Sequence, residues 1–546
     1  VFAKNDVHVH GKVTAKGGVN GGDGGFVETS GLRQLDITAV PDASASNGNS
    51  GEWLIDPFDI VINAVGGNDP VDPDLTGPLN EYSAAFISVV DSTQLNVNLI
   101  NTALDLSTNV TISTGAGGIG LGDIALNAPI VVSASTPGIF TLNAHNNISI
   151  NADMNSSFGL TVNLNANSDA VGGGGVILNN TVIDTGANST TAPFSMTGDF
   201  IDVVGIASIF KEFGAFPINA PLTINPGATL TIGSGFGSGS TLTISGQEII
   251  NDGVFISNGG CSDGCGTVSI NNAFTNNGTF RQFAGASFFD NIFTNNGIID
   301  IADAVDQVTG ISVGVLAPGV LEFNPGSSIS GVSNGQLRIR SFGTLDLLNP
   351  TVIDPLLVLT LIEGTIANAQ NLTIPNTFNW AGGIITGNGG FITPTGSTTS
   401  IQGGQATAST FQGLSAVQTL DWINEGSILW NGIGALTNIT LNDGKIINDG
   451  EFYITLSQNS SVNGTNSAVI NSVGAALGQG TSSDVTFNVP FQNSGVLNIA
   501  SSIDTFFVTN DLILENGALL MGEGTLNLSS GTGTLTVGNG GGIAPG

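Results

Sequence analysis

Charged residues are scarce in this chain, and basic residues are the scarcest of all. Of its 546 residues only 9% are charged, and nine Lys and Arg stand against 42 Asp and Glu, for a formal net charge of −33. Nucleic-acid binding needs Lys and Arg clustered against phosphates, so nine scattered basic residues exclude nucleic acid as a partner. Because 40% of the residues are hydrophobic, the chain is not a disordered acidic tail. Its apolar side chains must be buried in a regular fold.

Long apolar runs are also missing from the sequence. No window reaches the ~18 uninterrupted apolar residues of a membrane-spanning helix, so we expect no membrane span. The chain starts at Val1, close to the alternating stretch "VHVHGKVTA", without the charged and apolar regions of a signal peptide. We therefore expect that a segment that addressed the chain has been removed from in front of Val1.

Cysteine occurs only twice, as Cys261 and Cys265 in the Gly-rich stretch "GGCSDGCG". In an oxidising compartment this close spacing indicates a local disulfide. Two free thiols are the alternative. A metal site would need further ligands, and no histidine lies near in the sequence. We predict the disulfide.

Glycine, by contrast, is abundant, with 79 residues. Many follow a polar residue and precede an alternating apolar stretch, as in "INDGVFIS", "TNNGTFRQF" and "INDGEFYI". These turn glycines lie 19–25 residues apart, or about two to four times that, and such a period indicates a solenoid. The aligned set is Gly253, Gly278, Gly297, Gly343, Gly426, Gly450, Gly495 and Gly517.

Side chains alternate in character after each turn glycine. The second and fourth positions are apolar in 14 of 16 cases, whereas the charged residues fall on the first or third. Alternate side chains of a strand point to opposite faces, so we predict that the second position faces inward in every repeat. The resulting core ladder is Phe255, Phe280, Ile299, Leu345, Ile428, Phe452, Leu497 and Leu519.

Each repeat therefore predicts a turn followed by a short strand. Gly, and Asn before it, tolerate the left-handed backbone of a sharp corner, and stacked corner Asn side chains could form amide ladders. Rungs of about 22 residues, each with several short strands, would stack as a parallel β-helix. A sandwich or propeller built from hairpins would favour two-residue turns and a strand spacing of about 8–12 residues.

One segment departs from this pattern. Leu95, Leu99 and Ala103 recur every four residues, and Asp91 with Gln94 resembles a capping box, which predicts a short amphipathic helix near 91–106. The predicted organisation is then N-terminal rungs over 1–65, a loop plus helix over 66–107, irregular rungs over 108–240 and N-x-G turn repeats over 241–546.

Three N-terminal motifs carry a family resemblance. "GGDGGFVETSG" (21–31), "LDITA" (35–39) and "GEWLIDPFDIVI" (51–62) follow one another in this order. The set resembles the secreted exoproteins of two-partner secretion, the filamentous-haemagglutinin-like adhesins of Gram-negative bacteria. It covers residues 1–62. The remaining chain resembles the family only through its Gly/Asn/Thr-rich repeats, which autotransporter passengers share.

The resemblance implies a right-handed parallel β-helix that is exported through an outer-membrane transporter. It implies a location outside the cell or on the surface of a Gram-negative bacterium, and a role as an adhesin or surface fibre. The family's N-terminal secretion domain would have preceded Val1.

Candidate sites for chemistry are few. His8 and His10 form a His-x-His pair on one strand face, a spacing that can chelate a metal. Since no third ligand stands nearby in the sequence, we interpret the pair as an exposed strand end. His145 replaces a turn residue. We predict no catalytic residue, no metal site and no cofactor.

Two function classes remain. The first is a non-enzymatic structural or adhesive β-helix, self-associating end to end because unpaired strand edges recruit further strands, with surface glycans or host or neighbouring cells as expected partners. The alternative is a carbohydrate-active or carbohydrate-binding β-helix. Glycosidases need paired carboxylates, for which Asp300 and Asp303 are the candidates. Lyases typically need a basic residue, and Arg338 and Arg340 share a strand face that could bind an acidic sugar. We interpret both clusters as charges on a solvated strand face.

Overall fold

The computed structural model is an all-β parallel solenoid with a single short helix, which confirms the predicted fold class. The chain divides into two compact units, Val1–Phe280 and Arg281–Gly546. The described residues are 1–4, 6–32, 34–64, 92–115, 120–170, 173–186, 194–211, 214–234, 241–258, 267–284, 286–289, 291–301, 310–313, 319–323, 328–331, 336–339, 343–347, 353–369, 372–402, 409–413, 420–431, 438–480, 483–502, 505–528 and 533–545.

Each regular rung contains three short strands separated by corners, and each strand pairs in parallel with the strand one rung earlier. Phe140–Asn143, for example, pairs with Asn109–Ser113, so that Phe140 lies beside Val110. Because side chains alternate in both strands, buried residues stack on buried residues. The backbone amides find their partners in the neighbouring rungs, which lets such short strands persist.

Unit 1 has three faces, A, B and C, preceded by two strand pairs. The strand pairs are Phe2–Ala3 with Ser30–Gly31 and Asp6–Val9 with Gln34–Ile37. Face A consists of Phe26–Glu28, Glu52–Ile55, Asn109–Ser113, Phe140–Asn143, Val162–Asn165, Phe194–Thr197, Gly214–Asn219, Thr241–Gly246 and Thr267–Ile270. Face B consists of Ser92–Asn96, Asp59–Asn63, Ile124–Leu126, Ile148–Ile150, Gly175–Leu178, Phe200–Val203, Leu222–Ile224, Ile249–Asn251 and Phe274–Asn276. Face C consists of Ile130–Val132, Met154–Ser156, Thr181–Asp184, Ile206–Lys211, Thr229–Ser234, Val254–Asn258 and Thr279–Ala284, the last of which contains the boundary between the units.

Unit 2 has the same three-strand rung, with faces D, E and F. Face D consists of Ala286–Phe289, Gly310–Val313, Gln336–Ile339, Val358–Leu361, Thr377–Trp380, Thr398–Ile401, Ser427–Trp430, Glu451–Ile454, Ala476–Gln479, Val496–Ile499, Leu519–Gly522 and Gly542–Pro545. Face E consists of Ile292–Asn295, Gly319–Phe323, Gly343–Leu347, Thr365–Ala369, Gly383–Gly387, Ser409–Gly413, Ile439–Asn442, Ser460–Thr465, Val485–Phe487, Thr505–Val508 and Thr525–Asn527. Face F consists of Ile298–Ile301, Ser328–Gly331, Leu372–Thr373, Gly389–Thr393, Leu420–Asn424, Lys445–Asn448, Ala468–Asn471, Phe491–Asn493, Leu512–Leu514 and Leu535–Val537.

The helix spans Val97–Asp105, so the predicted start near 91 is wrong. Residues Ser92–Asn96 form a strand instead, and Asn96 caps the helix by accepting a hydrogen bond from the backbone of Asn98. The helix adjoins the face C strand Ile130–Val132. Asp91 lies outside the described residues, as does the predicted loop at 66–79. In the described part of the chain, no helix is long and apolar enough to cross a membrane.

The strand before the helix is inserted out of sequence order. Ser92–Asn96 pairs with Asp59–Asn63, whose other edge pairs with Ile124–Leu126. Ser92–Asn96 therefore lies on the N-terminal side of Asp59–Asn63 in the sheet, although it comes later in the sequence. Alternation predicts a strand but carries no information about which neighbour it joins, so the sequence did not indicate this pairing.

Seven of the eight predicted core-ladder residues are fully buried, namely Phe255, Phe280, Ile299, Leu345, Ile428, Phe452 and Leu497. They do not form one ladder, because the Gly motif recurs at different corners. Phe255 and Phe280 stack on face C with ring centroids 5.3 Å apart. On face D the column runs through Ile428, Phe452, Leu477 and Leu497.

The eighth position of the core ladder is wrong by one residue. Leu519 is half-buried, and Leu520 pairs with Leu497 in the core column. The corner before Leu519 is longer than the corner before Leu497, since Ala518 donates to Glu515 across a four-residue turn. Aligning the repeats on Gly517 therefore shifted the predicted inward position by one residue.

The reason for the turn glycines is also corrected. Gly517 has a φ of +80°, as the sequence analysis expected. Gly253, Gly278, Gly426, Gly450 and Gly495 lie outside the left-handed region, and any side chain there would collide with a backbone carbonyl of an earlier rung. Gly278 packs on Gly253 in this way and Gly450 on Gly426. Gly297 also lies in a turn, where it is half-buried. Gly343 differs in position, because it is the first residue of a strand and not part of a corner.

Candidate functional site

A buried ladder of asparagines runs along the corner between faces F and D, as predicted for corner Asn residues. Asn424 donates through Nδ2 to Oδ1 of Asn448 at 2.6 Å, Asn448 to Asn471 at 2.7 Å, and Asn471 to Asn493 at 2.6 Å. Each amide also donates to a backbone carbonyl in a neighbouring rung or in its own corner. The amide donors of this corner are thus satisfied inside the core.

Unit 1 carries the same device at the corner between faces B and C. Asn251 donates to Asn276 at 2.6 Å and to the carbonyl of Thr279 at 2.9 Å. Every amide in these ladders donates toward the next rung, so Oδ1 of Asn251 and of Asn424 is buried without a donor. A one-way chain of hydrogen bonds necessarily leaves one acceptor unpaired at its start.

Acidic residues act as acceptors at other corners. Asp59 accepts from the backbone of Gly122 and Asp123 at 2.9 and 2.7 Å, and Asp123 accepts in turn from Asn147 at 3.0 Å. Asp59 and Asp123 also border a cavity of about 330 Å³. The carboxylates hold the next rung in register, which explains part of the acidic excess. Recurrence of Asp or Asn just before a strand would have been the signal in the sequence.

Asp56 and Glu28 are acidic residues at half-buried positions of unit 1. Burial, reinforced by the negative charge of Glu28, raises the pKa of Asp56. The folded protein therefore favours the protonated carboxyl more than the unfolded chain does. The stability that this group contributes is complete below its unfolded pKa and is lost as the pH rises through the raised folded pKa.

We accordingly expect Asp56→Asn to raise stability at pH 7 and to flatten this part of the pH dependence, because the amide carries no charge to desolvate. Urea unfolding at pH 4 and pH 7 measures both effects. Glu28→Gln is the matched control and should give a smaller gain, since it removes only the charge repulsion. Loss of stability in Asp56→Asn at pH 7 would contradict the assignment.

Three side chains converge on strand pair Asp6–Val9 and Gln34–Ile37. The register sets His8 beside Asp36, while Val7, Val9, Leu35 and Ile37 are buried beneath. His8 Nδ1 lies 3.3 Å and His10 Nε2 2.6 Å from the same oxygen, Oδ2 of Asp36. The two imidazoles are 59% and 58% exposed and the carboxylate is 22% exposed. The ligand atoms all lie within 4.8 Å of one another.

No third ligand stands near the His-x-His pair in the sequence, and the structure supplies a candidate in space, Asp36. Asp36 is 26 residues beyond His10 and becomes its neighbour only through rung stacking. The available signal was the Asp of "LDITA", which falls between two apolar residues in a second alternating strand. Nothing in the sequence alone aligned that strand with the first.

The remaining candidates are dispersed. His145 Nδ1 lies 3.2 Å from Asp169, and Asp300 is paired with Arg281 at 2.8 Å. Arg338 is half-buried on a face D strand. The predicted disulfide partners Cys261 and Cys265 lie outside the described residues, as do Asp303 and Arg340.

These features define a parallel β-solenoid protein with internal amide ladders and an exposed histidine–carboxylate cluster. No protein-family model matches the chain, and no curated protein is significantly similar to it in sequence.

Proposed function

We propose that this protein is a secreted structural or adhesive β-helix that forms or decorates a fibre on the surface of a Gram-negative bacterium. The observation that carries the proposal is the amide ladder inside the rung stack, exemplified by Asn424 to Asn493. The ladder repeats the same rung-to-rung contact along the stack, as an extended scaffold requires. The N-terminal motifs "GGDGGFVETSG" and "GEWLIDPFDIVI" support secretion through an outer-membrane transporter.

The outward faces support an adhesive role. Asn151 donates to Asn127 and Asn179 to Asn151, so a row of exposed amides follows the rung spacing of about 4.8 Å. A second row on unit 2 joins Asn463, Asn488 and Thr509. Regularly spaced donors and acceptors suit an extended polar ligand, so surface glycans on host or neighbouring cells are the partners that we propose.

Self-association is part of the proposal. Two strands that follow one another in the chain expose apolar side chains. They carry Leu535, Val537 and Ile543, which are 42%, 46% and 58% exposed. Apolar side chains exposed on strands favour cover by a further strand. End-to-end stacking of chains would supply that cover.

We expect the purified chain to form fibres with rising concentration, and the double variant Leu535→Lys/Val537→Lys to weaken this because charge opposes strand addition. Electron microscopy and sedimentation velocity measure both. Val131→Lys is the matched control, since Val131 is 52% exposed on face C, and it should assemble as the unchanged chain does. Single particles at all concentrations would contradict fibre formation. Release of reducing ends from polysaccharides would favour the carbohydrate-active alternative.

A further inference from the structure

We propose that His8, His10 and Asp36 form a binding site for a divalent transition-metal ion of the Zn²⁺, Ni²⁺ or Co²⁺ class. This inference is independent of the structural or adhesive role. It rests on two imidazole nitrogens and one carboxylate oxygen from adjacent rungs that converge within 4.8 Å.

The geometry needs only small side-chain movements. Zn²⁺ binds imidazole nitrogen and carboxylate oxygen at about 2.0–2.2 Å, so tetrahedral ligand atoms stand roughly 3.4 Å apart. The His8 Nδ1 to Asp36 Oδ2 distance is already 3.3 Å, and the His10 Nε2 to Oδ2 distance is 2.6 Å. Rotation of the half-exposed His10 ring would bring its nitrogen to the required separation.

The backbone holds the three ligands in place. His8 and Asp36 are register partners in a parallel pair, and His10 follows the same strand two residues later. On the opposite side of the strands Val7, Val9, Leu35 and Ile37 are 0–6% exposed, which anchors both strands in the core. Such preorganisation lowers the entropic cost of binding.

The donor set selects the kind of ion. Imidazole suits Zn²⁺, Ni²⁺, Cu²⁺ and Co²⁺, whereas Ca²⁺ and Mg²⁺ prefer sets made of oxygen atoms alone. Three protein ligands with two rings more than half exposed leave room for water or another ligand to complete the shell. The net charge of −33 attracts cations in general, so the test must separate this site from diffuse acidic binding.

The alternative account is that the two rings are hydrogen-bonded to Asp36 and the cluster binds no metal ion. The His10 distance of 2.6 Å fits a charge-assisted hydrogen bond. The two accounts differ in whether Co²⁺ acquires imidazole ligands and whether the ion joins the two rungs.

The experiment titrates untagged full-length protein with Co²⁺ and with Zn²⁺ alone. We expect one ion per chain by calorimetry, a visible Co²⁺ spectrum typical of imidazole ligation, and no competition from Ca²⁺. His8→Ala, His10→Ala and Asp36→Asn should each weaken binding by about tenfold or more. His145→Ala removes the other histidine of the chain and should bind as the unchanged protein does.

Hydrogen exchange supplies a second readout. Zn²⁺ should slow exchange in strands Asp6–Val9 and Gln34–Ile37 of the unchanged protein but not of His10→Ala, because the ion cross-links these strands. The same measurement without metal shows that the variant keeps its fold. Binding that survives all three ligand substitutions, or Co²⁺ without an imidazole spectrum, would overturn the proposal.

Discussion

Phe452→Asp is expected to destroy the packing of the rungs around it. Phe452 is fully buried on face D between Ile428 and Leu477, with the Trp430 ring centroid 6.4 Å from its own. Truncation of a buried Phe costs about 3–5 kcal/mol, and an unpaired buried carboxylate adds several kcal/mol more. We therefore expect a total loss above about 5 kcal/mol.

Hydrogen exchange resolved by segment is the appropriate measurement, because it shows whether the loss of protection is confined to the rungs around Phe452. Protection should collapse in strands Ser427–Trp430 and Ala476–Gln479, which flank Phe452. Glu451→Gln is the control: Glu451 is the adjacent residue and is exposed, so its exchange should scarcely change. Equal tolerance of both substitutions would refute the inward assignment.

Asn448→Ala is the second change with a large expected effect. Asn448 accepts from Asn424 at 2.6 Å and donates to Asn471 and to the carbonyl of Ala476 at 2.7 and 3.1 Å. Alanine breaks these three hydrogen bonds and leaves buried partners unpaired, each of which costs about 1–3 kcal/mol. We expect a loss of about 3 kcal/mol or more, measured as earlier urea unfolding and faster exchange in Ala468–Asn471.

Asn488→Ala is the matched control for the ladder. Asn488 is also bonded on both sides, to Asn463 at 2.7 Å and to Thr509 at 2.6 Å, but it is exposed. Water can replace these bonds, so the cost should be within about 0.5 kcal/mol. If both substitutions lower the free energy of unfolding equally, burial does not increase the contribution of the ladder to stability.

Periodicity was enough to predict the fold class and most of the core. Phe280 and Phe452 were assigned inward because an extended strand turns every second side chain to the same face, and both are fully buried. The corner amide ladder also followed from the recurrence of Asn before Gly. Both rest on local rules that hold wherever a strand or a tight corner forms.

The incorrect predictions concern features that depend on contacts between rungs and not on neighbouring residues in the sequence. Leu519 was placed inward because Gly517 was aligned with the glycines of shorter corners, and corner length depends on how the neighbouring rung packs. The helix began at Val97 because residues 92–96 found a strand partner in Asp59–Asn63. Steric contact with an earlier carbonyl, not backbone conformation, explains Gly278 and Gly450.

By itself, the sequence determined that this protein is a stack of short strands with apolar interiors and polar corners, because alternation and turn chemistry are properties of neighbouring residues. Only the tertiary structure decided which rungs adjoin. Register places Asp36 beside His8 and divides the core ladder among separate faces. Residues about one rung apart become neighbours through stacking, and the length of each corner, which no local pattern encodes, sets their alignment.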